Sequence, residues 1–379
     1  MKKKYIIFSI VTLVLLVALI TSFNYFKTTN TYIDDSFNNQ TKITKGISMN
    51  LEQTAGAGDY KTVTQSGWPT EGYKFNSELS RCENGSEISW DDTKKAVIVS
   101  GNLSDKCYVY FDIYQPTLAE YIKSQYTGNQ GDNALYYHNS TLTNGAGDNS
   151  YRYAGASDSV NNYICLGSDA ATCPDANLFR IIGVFGDQTK VIRAKSVGNQ
   201  KWDTNGSNTW SSSSLNTYLN GEYLTSLGTL KNKIATTTWK VGGGSWDNIG
   251  KSVPATAYQY EVGSSASSIT YDAKIGLMYV SDYYYGASPS AWTLMGYNSD
   301  ATKDYRAATS TNWLYLGSYE WTISRFSGYA GSAFRVDSTG DVDYYVVTYS
   351  YGVRPSFNLE SSVKYVSGSG SMSDPIRVN

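Results

Sequence analysis

The chain has few of the residues that build catalytic and metal sites. It contains one histidine, His138, four cysteines and only 17% charged residues. A zinc site needs several cysteine or histidine ligands at short spacing, and this sequence does not supply them. The 31 basic and 33 acidic residues give a net charge of −2, so there is no basic field to neutralise nucleic-acid phosphates. We therefore expect no nucleic-acid partner and no cofactor.

Aromatic residues, by contrast, are abundant. The 34 tyrosines, 9 tryptophans and 11 phenylalanines provide ample apolar area for packed cores. A disordered chain would have fewer aromatic residues and a larger charged fraction. At this length we expect about two or three folded domains.

An uncharged stretch occupies residues 5–26, between the lysines at 2–4 and Lys27. At helical rise it would extend about 33 Å, enough to cross the hydrocarbon layer of a bilayer. The preceding lysines favour a cytoplasmic N-terminus. We therefore predict a cytoplasmic tip and transmembrane signal anchor over residues 1–26, with the cell membrane as a partner through residues 5–26 and the C-terminal region extracellular. A cleaved signal peptide is the alternative, but the stretch does not end in the small-residue motif of a cleavage site.

The four cysteines form two local couples, Cys82 with Cys107 and Cys165 with Cys173. An even number of cysteines outside the membrane indicates disulfides, and local pairing is the simplest connectivity. A metal site is the alternative, but neither couple has the spacing of a metal-binding motif. We predict two local disulfides and no metal site.

Composition divides the remainder of the chain into three parts. Residues 27–50 are rich in Thr, Asn and Lys and are predicted to form a stalk. Short β-branched and aromatic runs at 95–100 and 106–111 predict a small disulfide-linked β module over residues 51–113. Residues 114–379 are predicted to form one larger domain.

Two helices are predicted in the larger domain. Thr117 and Glu120 have the spacing of a capping box, and apolar residues on one helical face follow. A serine run at 211–214 precedes apolar residues at i, i+3 and i+4 from Leu215. Strands are predicted at residues 179–185, 190–194 and 274–280, and a β-hairpin at 333–336 and 342–347.

Six segments of this domain, taken in order, resemble a known family. They are residues 179–185, 201–203, 215–221, 275–282, 321–324 and 351–357. From about Pro116 onward the chain resembles an uncharacterised domain family of surface proteins from Firmicutes and Mollicutes-like bacteria. The closing Gly-Val-Arg-Pro at 352–355 is similar to a strand of the C-type-lectin-like fold of formylglycine-generating (sulfatase-modifying) enzymes. The resemblance implies a C-type-lectin-like mixed sheet with two helices. Together with the small all-β module and the N-terminal transmembrane helix predicted above, this gives an α+β fold class.

Catalysis is not expected to follow from this resemblance. The formylglycine-generating enzymes use a late cysteine pair, and no cysteine follows Cys173 here. His138 lies in a Gly/Asn-rich stretch and is expected to be an exposed loop residue rather than a general base. Glu320 and Asp343 could form a paired-carboxylate site, although nothing in the sequence brings them together.

Structural roles are expected for two groups of charged residues near the C-terminus. Asp337, Asp341 and Asp343 surround the predicted hairpin turn. Calcium takes several carboxylate and carbonyl oxygens, so a calcium site is one interpretation. Asp, Ser and Gly also favour tight turns, and this is the role that we expect. Arg354 is expected to tie neighbouring loops together through its five donors.

The last hundred residues combine Tyr and Trp with Ser, Gly and Asn, as antibody binding loops do. Aromatic residues also fill sheet faces and cores, which is the alternative interpretation. The candidate ligand-binding residues are Tyr284, Trp292, Trp313, Tyr319, Trp321, Tyr345 and Tyr349. We predict a non-catalytic, membrane-anchored extracellular recognition protein of the adhesin or ligand-display type, which binds a glycan or a protein. The alternatives are an extracytoplasmic enzyme of the formylglycine-generating superfamily with altered chemistry, or a structural envelope protein.

Overall fold

The computed structural model describes residues 46–64, 67–69, 72–102 and 105–379. The chain divides into two compact units, with the boundary between Gln115 and Pro116. The predicted transmembrane anchor and most of the predicted stalk lie outside the described residues. Within the described ranges, no helix has the length and apolar character needed to span a membrane.

The first unit is a small β structure. Its strands are β1 (Ile47–Glu52), β2 (Tyr60–Val63), β3 (Tyr73–Cys82), β4 (Glu87–Asp91), β5 (Ala96–Ser100) and β6 (Cys107–Ile113). Strands β2, β1, β6 and β3 form a four-stranded sheet in that order, with β1 parallel to β6. Strands β5 and β6 coincide closely with the two runs predicted at 95–100 and 106–111. Strand β5 pairs with β4 in a separate hairpin, and β6 pairs with β1 and β3.

The core of the first unit is small and centred on Phe111, which is fully buried. The rings of Trp90, Phe75 and Trp68 lie 5.6, 5.9 and 6.1 Å from the Phe111 ring, centroid to centroid. In a core of this size, the free energy gained by burying apolar surface barely exceeds the cost in conformational entropy of folding the chain. A disulfide cross-link therefore contributes a substantial share of the stability of this unit.

Both predicted disulfides are confirmed. Cys82 on β3 is bonded to Cys107 on β6, where the two residues are also in register. Cys165 is bonded to Cys173 in the second unit.

The second unit is built mainly from strands. They are β7 (Leu135–Tyr137), β8 (Tyr151–Tyr153), β9 (Tyr163–Cys165), β10 (Leu178–Phe185), β11 (Gln188–Arg193), β12 (Asn199–Lys201), β13 (Thr237–Lys240), β14 (Thr270–Ala273), β15 (Glu320–Arg325), β16 (Ser332–Val336), β17 (Val342–Val346), β18 (Ser350–Gly352), β19 (Ser356–Leu359), β20 (Tyr365–Ser367) and β21 (Ile376–Val378). An eight-stranded sheet contains the path β19-β11-β10-β9-β21-β20, with β8 paired to β10 and β7 to β8. A five-stranded sheet has the order β12-β18-β15-β16-β17, and β13 pairs with β14.

The helices of the second unit are short. They are α1 (Leu118–Ser124), α2 (Ser214–Tyr218), α3 (Leu224–Ser226), α4 (Pro254–Glu261) and α5 (Val280–Tyr285). A π-helical turn (Leu219–Tyr223) joins α2 to α3. The 3₁₀ segments are Asp132–Ala134, Asp175–Asn177, Trp210–Ser212, Gly228–Lys233, Pro289–Ala291, Ala301–Lys303 and Tyr305–Thr311.

The capping box predicted at the start of α1 is confirmed. The backbone N–H of Glu120 donates to Oγ1 of Thr117 at 3.2 Å, and the N–H of Thr117 donates to Oε2 of Glu120 at 2.8 Å. The two side chains satisfy donors that the first helical turn would otherwise leave unpaired.

The beginning and the end of the second unit meet beside Lys364. The N–H of Leu118 donates to the carbonyl of Val363 at 2.7 Å, and the N–H of Tyr365 donates to the carbonyl of Pro116 at 3.0 Å. The N–H of Asn379 donates to the carbonyl of Lys364 at 3.2 Å. Residues that are far apart in sequence thus share one edge of the fold.

The predicted fold class is wrong. Several sheets make up the described structure, and its longest helix has eight residues; the prediction was one C-type-lectin-like mixed sheet with two helices and a transmembrane helix before it. The apolar run at 274–280 shows the physical reason for one error. The side chain of Asn220 bonds both the N–H and the carbonyl of Ile275 at 2.9 Å, and the chain then enters α5 at Val280 instead of forming a strand.

Candidate functional site

Four tyrosines meet beside the five-stranded sheet, and three of them contact one arginine. We call Tyr319, Tyr345, Tyr349 and Tyr351, together with Arg335 at their centre, the tyrosine cluster. Glu320 on β15 pairs with Gly352 on β18, which places the preceding residues Tyr319 and Tyr351 side by side, with ring centroids 5.1 Å apart.

The hairpin β16–β17 supplies the other members of the cluster. Arg335 lies opposite Asp343 across the hairpin, and Ala333 lies opposite Tyr345. Because side chains alternate along a strand, Asp343 and Tyr345 share the face of β17 on which Arg335 lies. Tyr349 follows the hairpin and lies edge-to-face on Tyr345, with ring centroids 4.8 Å apart.

The guanidinium of Arg335 is held between aromatic rings. Its Cζ lies 4.2 Å from the ring centroid of Tyr345, 4.3 Å from that of Tyr319 and 4.4 Å from that of Tyr351. Cation–π contacts of this kind contribute about 1 kcal/mol each when they are partly desolvated. The arginine therefore fixes the orientation of three rings at once.

Asp343 neutralises the charge of Arg335. Nε and Nη2 of Arg335 donate to the two carboxylate oxygens of Asp343 at 2.7 and 2.9 Å, and Asp337 lies 3.5 Å from the same guanidinium. Burial raises the pKa of the Tyr351 hydroxyl against the opposing effect of Arg335, so this phenol stays protonated at neutral pH. The cluster presents aromatic faces, with its cation beneath.

Three of the predicted ligand-binding residues belong to this cluster. Tyr349 is 53% exposed and Tyr319 is 39% exposed, while Tyr345 is half-buried. Arg335, by comparison, is only 5% exposed. The rings therefore form the accessible surface, and the arginine supports them from below.

The prediction is wrong for the other four residues, which lie in the core: Tyr284, Trp292, Trp313 and Trp321. Each is at most 1% exposed. Their polar atoms all donate inward, to the backbone carbonyls of Ile249, Ala287, Tyr153 and Gln200 respectively. Buried tyrosine and tryptophan groups usually find such partners, and no polar tip remains for a ligand. Trp321 contacts the cluster from beneath, with its ring 5.0 Å from that of Tyr351.

Sequence reasoning missed Arg335 and Tyr351. Side chains alternate along the predicted strand 333–336, so Arg335 lies on the face opposite Phe334 and Val336. That alternation could have identified Arg335 as the partner of Asp343. Tyr351 lies in a short strand, β18, whose three residues carry no clear periodic pattern. Its place in the cluster depends on pairing with distant strands.

The carboxylates that were considered as catalytic residues or as metal ligands have other partners. Glu320 accepts from Nε of Arg354 at 2.6 Å, and Nη2 of Arg354 also donates to the carbonyl of Leu314 at 2.6 Å. Glu320 and Asp343 are therefore paired with two different arginines. Asp337 accepts from the N–H and the hydroxyl of Thr339 in the hairpin turn. Within the described part of the chain, no group of three or more His, Cys, Asp or Glu side chains is arranged to hold a metal ion.

His138 is fully buried, which corrects the prediction of an exposed loop histidine. Its Nδ1 accepts a hydrogen bond from the N–H of Ala146 at 3.1 Å, and the rings of Tyr285 and Trp292 lie 4.7 and 5.1 Å away. Burial, reinforced by the positive charge of Arg152, lowers the pKa of the imidazole well below 6.5. His138 is therefore a neutral core residue at physiological pH.

Residues 186–361 match a protein family described as a domain of unknown function (DUF6273). The comparisons with curated proteins and with solved structures gave no match to this chain. A domain of an uncharacterised family is thus present, over a shorter range than the predicted one. The resemblance to the C-type-lectin-like fold of formylglycine-generating enzymes is not confirmed. The matched range contains the whole tyrosine cluster.

Proposed function

We propose that the second unit is a non-catalytic recognition domain that binds a neutral glycan through the tyrosine cluster. The observation that carries this proposal is the exposure of Tyr349 and Tyr319 on a rigid, charge-neutralised base formed by Arg335 and Asp343. Tyrosine gives a large contact area with a polar tip and loses little conformational entropy on binding.

The chemistry of the cluster suits a sugar ring. The apolar faces of the exposed rings can stack on the C–H faces of a sugar, while their hydroxyls hydrogen-bond to sugar hydroxyls. Asp343 keeps 30% of its side chain exposed, and a carboxylate can accept more bonds than the two that it receives from Arg335. Because Arg335 is paired with Asp343 within the protein, the cluster offers no free cation to an anionic ligand.

Two observations support recognition over the alternatives. An enzyme that used Glu320 and Asp343 would need one of them free to accept or donate a proton, and each is engaged by its own arginine. A purely structural envelope protein would not need to leave Tyr349 and Tyr319 exposed on a shared face.

An extracytoplasmic location is part of the proposal. The disulfides Cys82–Cys107 and Cys165–Cys173 support it, because disulfides persist mainly in oxidising compartments. Attachment to the cell membrane through residues 5–26 stays a prediction, because those residues lie outside the described ranges.

A glycan array with the purified full chain tests the proposed function. We expect binding to at least one neutral glycan, and a loss of affinity of about tenfold or more in Tyr349→Ala and in Tyr319→Ala. Tyr329→Ala is the matched control, because Tyr329 is 60% exposed but lies outside the cluster. Equal binding by all three variants, or no glycan binding by the folded chain, would reject the proposal. The same chain can be tested on cells whose surface glycans have been oxidised with periodate, and on cells treated with a protease. Binding that persists after periodate treatment but is lost after protease treatment would instead indicate a protein ligand.

A further inference from the structure

A lysine and two carboxylic acids are buried together in the second unit, away from the tyrosine cluster. Lys190 lies on β11, Asp282 lies in α5 and Glu261 ends α4. They are 5%, 3% and 2% exposed. Nζ of Lys190 is 2.5 Å from Oδ2 of Asp282, although the two residues are far apart in sequence.

We propose that Lys190 and Asp282 become joined by an intramolecular amide bond between Nζ and Cγ, with Glu261 carrying a proton during the reaction. The ammonium of Lys190 and the carboxylate of Asp282 combine to give one amide and one water molecule. The Nζ–Cγ bond forms, one Cγ–O bond of Asp282 breaks, and two protons from the ammonium leave with that oxygen as water. Charge balances on both sides, and no oxidant, cofactor or activated donor is needed.

The surroundings of Lys190 favour a reactive amine. Its Nζ lies 4.6 Å from the ring centroid of Tyr279, 5.4 Å from that of Trp239 and 5.8 Å from that of Phe185. Burial lowers the pKa of Lys190, against the opposing effect of Asp282. Desolvation therefore makes the neutral, nucleophilic amine more accessible than it is in water. The same exclusion of water removes the competitor that would reverse the reaction by hydrolysis.

One hydrogen-bond donor and one cation already lie beside the carboxyl group that would be attacked. The N–H of Tyr279 donates to Oδ2 of Asp282 at 2.8 Å, and Nη1 of Arg152 lies 3.6 Å from Oδ1. Attack by an amine places negative charge on a carboxyl oxygen in the tetrahedral intermediate. The fixed donor at Oδ2 and the positive charge near Oδ1 stabilise that negative charge, as the groups of an oxyanion hole do.

Glu261 is the third member of the buried group, and its charge acts on Lys190, so we assign the proton transfer to it. The two carboxylate oxygens of Glu261 accept hydrogen bonds from the N–H groups of Val280 and Ser281, at 3.0 and 2.7 Å. These residues come directly after Tyr279 in the sequence, whose N–H donates to Asp282. The two carboxyl groups thus bind consecutive backbone N–H groups. Burial raises the pKa of Glu261, against the effect of its bonds to Ser324 and Ser281. A carboxyl group in this state can take a proton from the amine and deliver it to the departing oxygen.

An ordinary buried ion pair is the competing explanation for the contact. Such pairs contribute little net stability, because the cost of desolvating two ions offsets their attraction. The two explanations differ in one measurable quantity. An ion pair leaves the mass of the chain complete, whereas the amide removes one water molecule.

Mass spectrometry of the reduced and alkylated full chain, after purification in the folded state, provides the test. We expect the wild type to be lighter by one water than the sequence requires, and Lys190→Met and Asp282→Ala to show no such deficit. Because trypsin does not cleave after an acylated lysine, digestion should give one branched peptide joining residues 181–193 to residues 275–303. Linear peptides that end at Lys190, recovered in full yield from the folded wild type, would overturn the proposal even where a variant fails to fold.

Glu261→Gln tests the assigned proton carrier separately. We expect this variant to keep the circular dichroism spectrum of the wild type but to regain the mass of the missing water. A purely structural role of Glu261 would change thermal stability without changing the mass. Full cross-linking in Glu261→Gln would therefore reject the proton-carrier role.

Discussion

Arg354 and Glu320 form a salt bridge inside the second unit, with Nε of Arg354 2.6 Å from Oε1 of Glu320 and both side chains almost fully buried. The arginine also binds the carbonyl of Leu314, so it connects β15 to the chain segment before it. A buried carboxylate that loses such a partner keeps its desolvation cost without compensation.

We predict that Arg354→Met destabilises the second unit by about 4 kcal/mol at neutral pH. Burial already raises the pKa of Glu320 against the effect of Arg354, and removal of the arginine raises it further. A carboxyl group with a raised folded-state pKa is protonated more readily in the folded state, so the deficit should shrink as the pH falls. Urea unfolding, monitored by circular dichroism at two pH values, measures this difference in the free energy of unfolding between the variant and the wild type. The double variant Arg354→Met/Glu320→Gln is the control and should recover part of the loss.

The pH dependence of stability should report on Asp148. Burial alone would raise the pKa of this carboxyl, but Arg152, whose Nη2 lies 2.7 Å away, and Ser150 together lower it to about 2. A lowered folded-state pKa stabilises the protein above the ordinary value of 3.8, and this contribution disappears as the pH falls from 3.8 towards about 2.

We therefore predict that Asp148→Asn costs about 2 kcal/mol at neutral pH and much less near pH 2. Unfolding free energies measured across that range test the prediction. Asp158→Asn is the control, because Asp158 is exposed and should leave the profile unchanged. A constant difference between Asp148→Asn and wild type at every pH would contradict the ionic explanation.

The single histidine allows a direct test of core burial. Because the pKa of His138 is lowered well below 6.5, its imidazole should still be neutral at pH 6.5, where an ordinary imidazole is half protonated. The C–H resonances of the only imidazole in the chain should then not move when the folded protein is titrated from neutral pH to pH 6.5 and followed by NMR. The unfolded chain does take up this proton, so the histidine makes folding less favourable as the pH drops below 6.5. A normal titration curve would place His138 at the surface.

The two disulfides should contribute unequally. They close loops with sequence separations of 25 and 8 residues, for which loop entropy predicts about 3.5 and about 2.5 kcal/mol. Replacement of Cys82 and Cys107 by serine should unfold the small first unit while the second unit stays folded. Hydrogen exchange measured on peptides from β1 and β6 would show full loss of protection. The matched pair of serine substitutions at Cys165 and Cys173 should leave those peptides protected.

Local features could be predicted from the sequence because their causes are local. The capping box at Thr117 depends on two residues three positions apart, and β10 and the hairpin β16–β17 depend on short apolar or alternating runs. The disulfides followed from cysteine spacing and compartment alone.

The division of tyrosines between core and surface could not be predicted in this way. Tyr284 and Tyr345 both lie in runs of consecutive tyrosines, yet Tyr284 is fully buried and Tyr345 contributes to the surface cluster. All six residues of α5 are buried, because the helix is covered on every side by segments that are distant in sequence. His138 is likewise covered by Tyr285 and Trp292, which its own Gly/Asn-rich neighbourhood does not indicate. Contacts between segments that are distant in sequence determine which of these side chains are buried. The residue pattern of a single sequence does not show those contacts.

Pro116 and Asn379 bond to neighbouring backbone groups at Tyr365 and Lys364, so these two residues lie close together in space. A module of this kind can be spliced into a surface loop of another protein without stretching either chain. It should equally tolerate a circular permutation in which a short linker joins Asn379 to Pro116 and new termini open in an exposed turn.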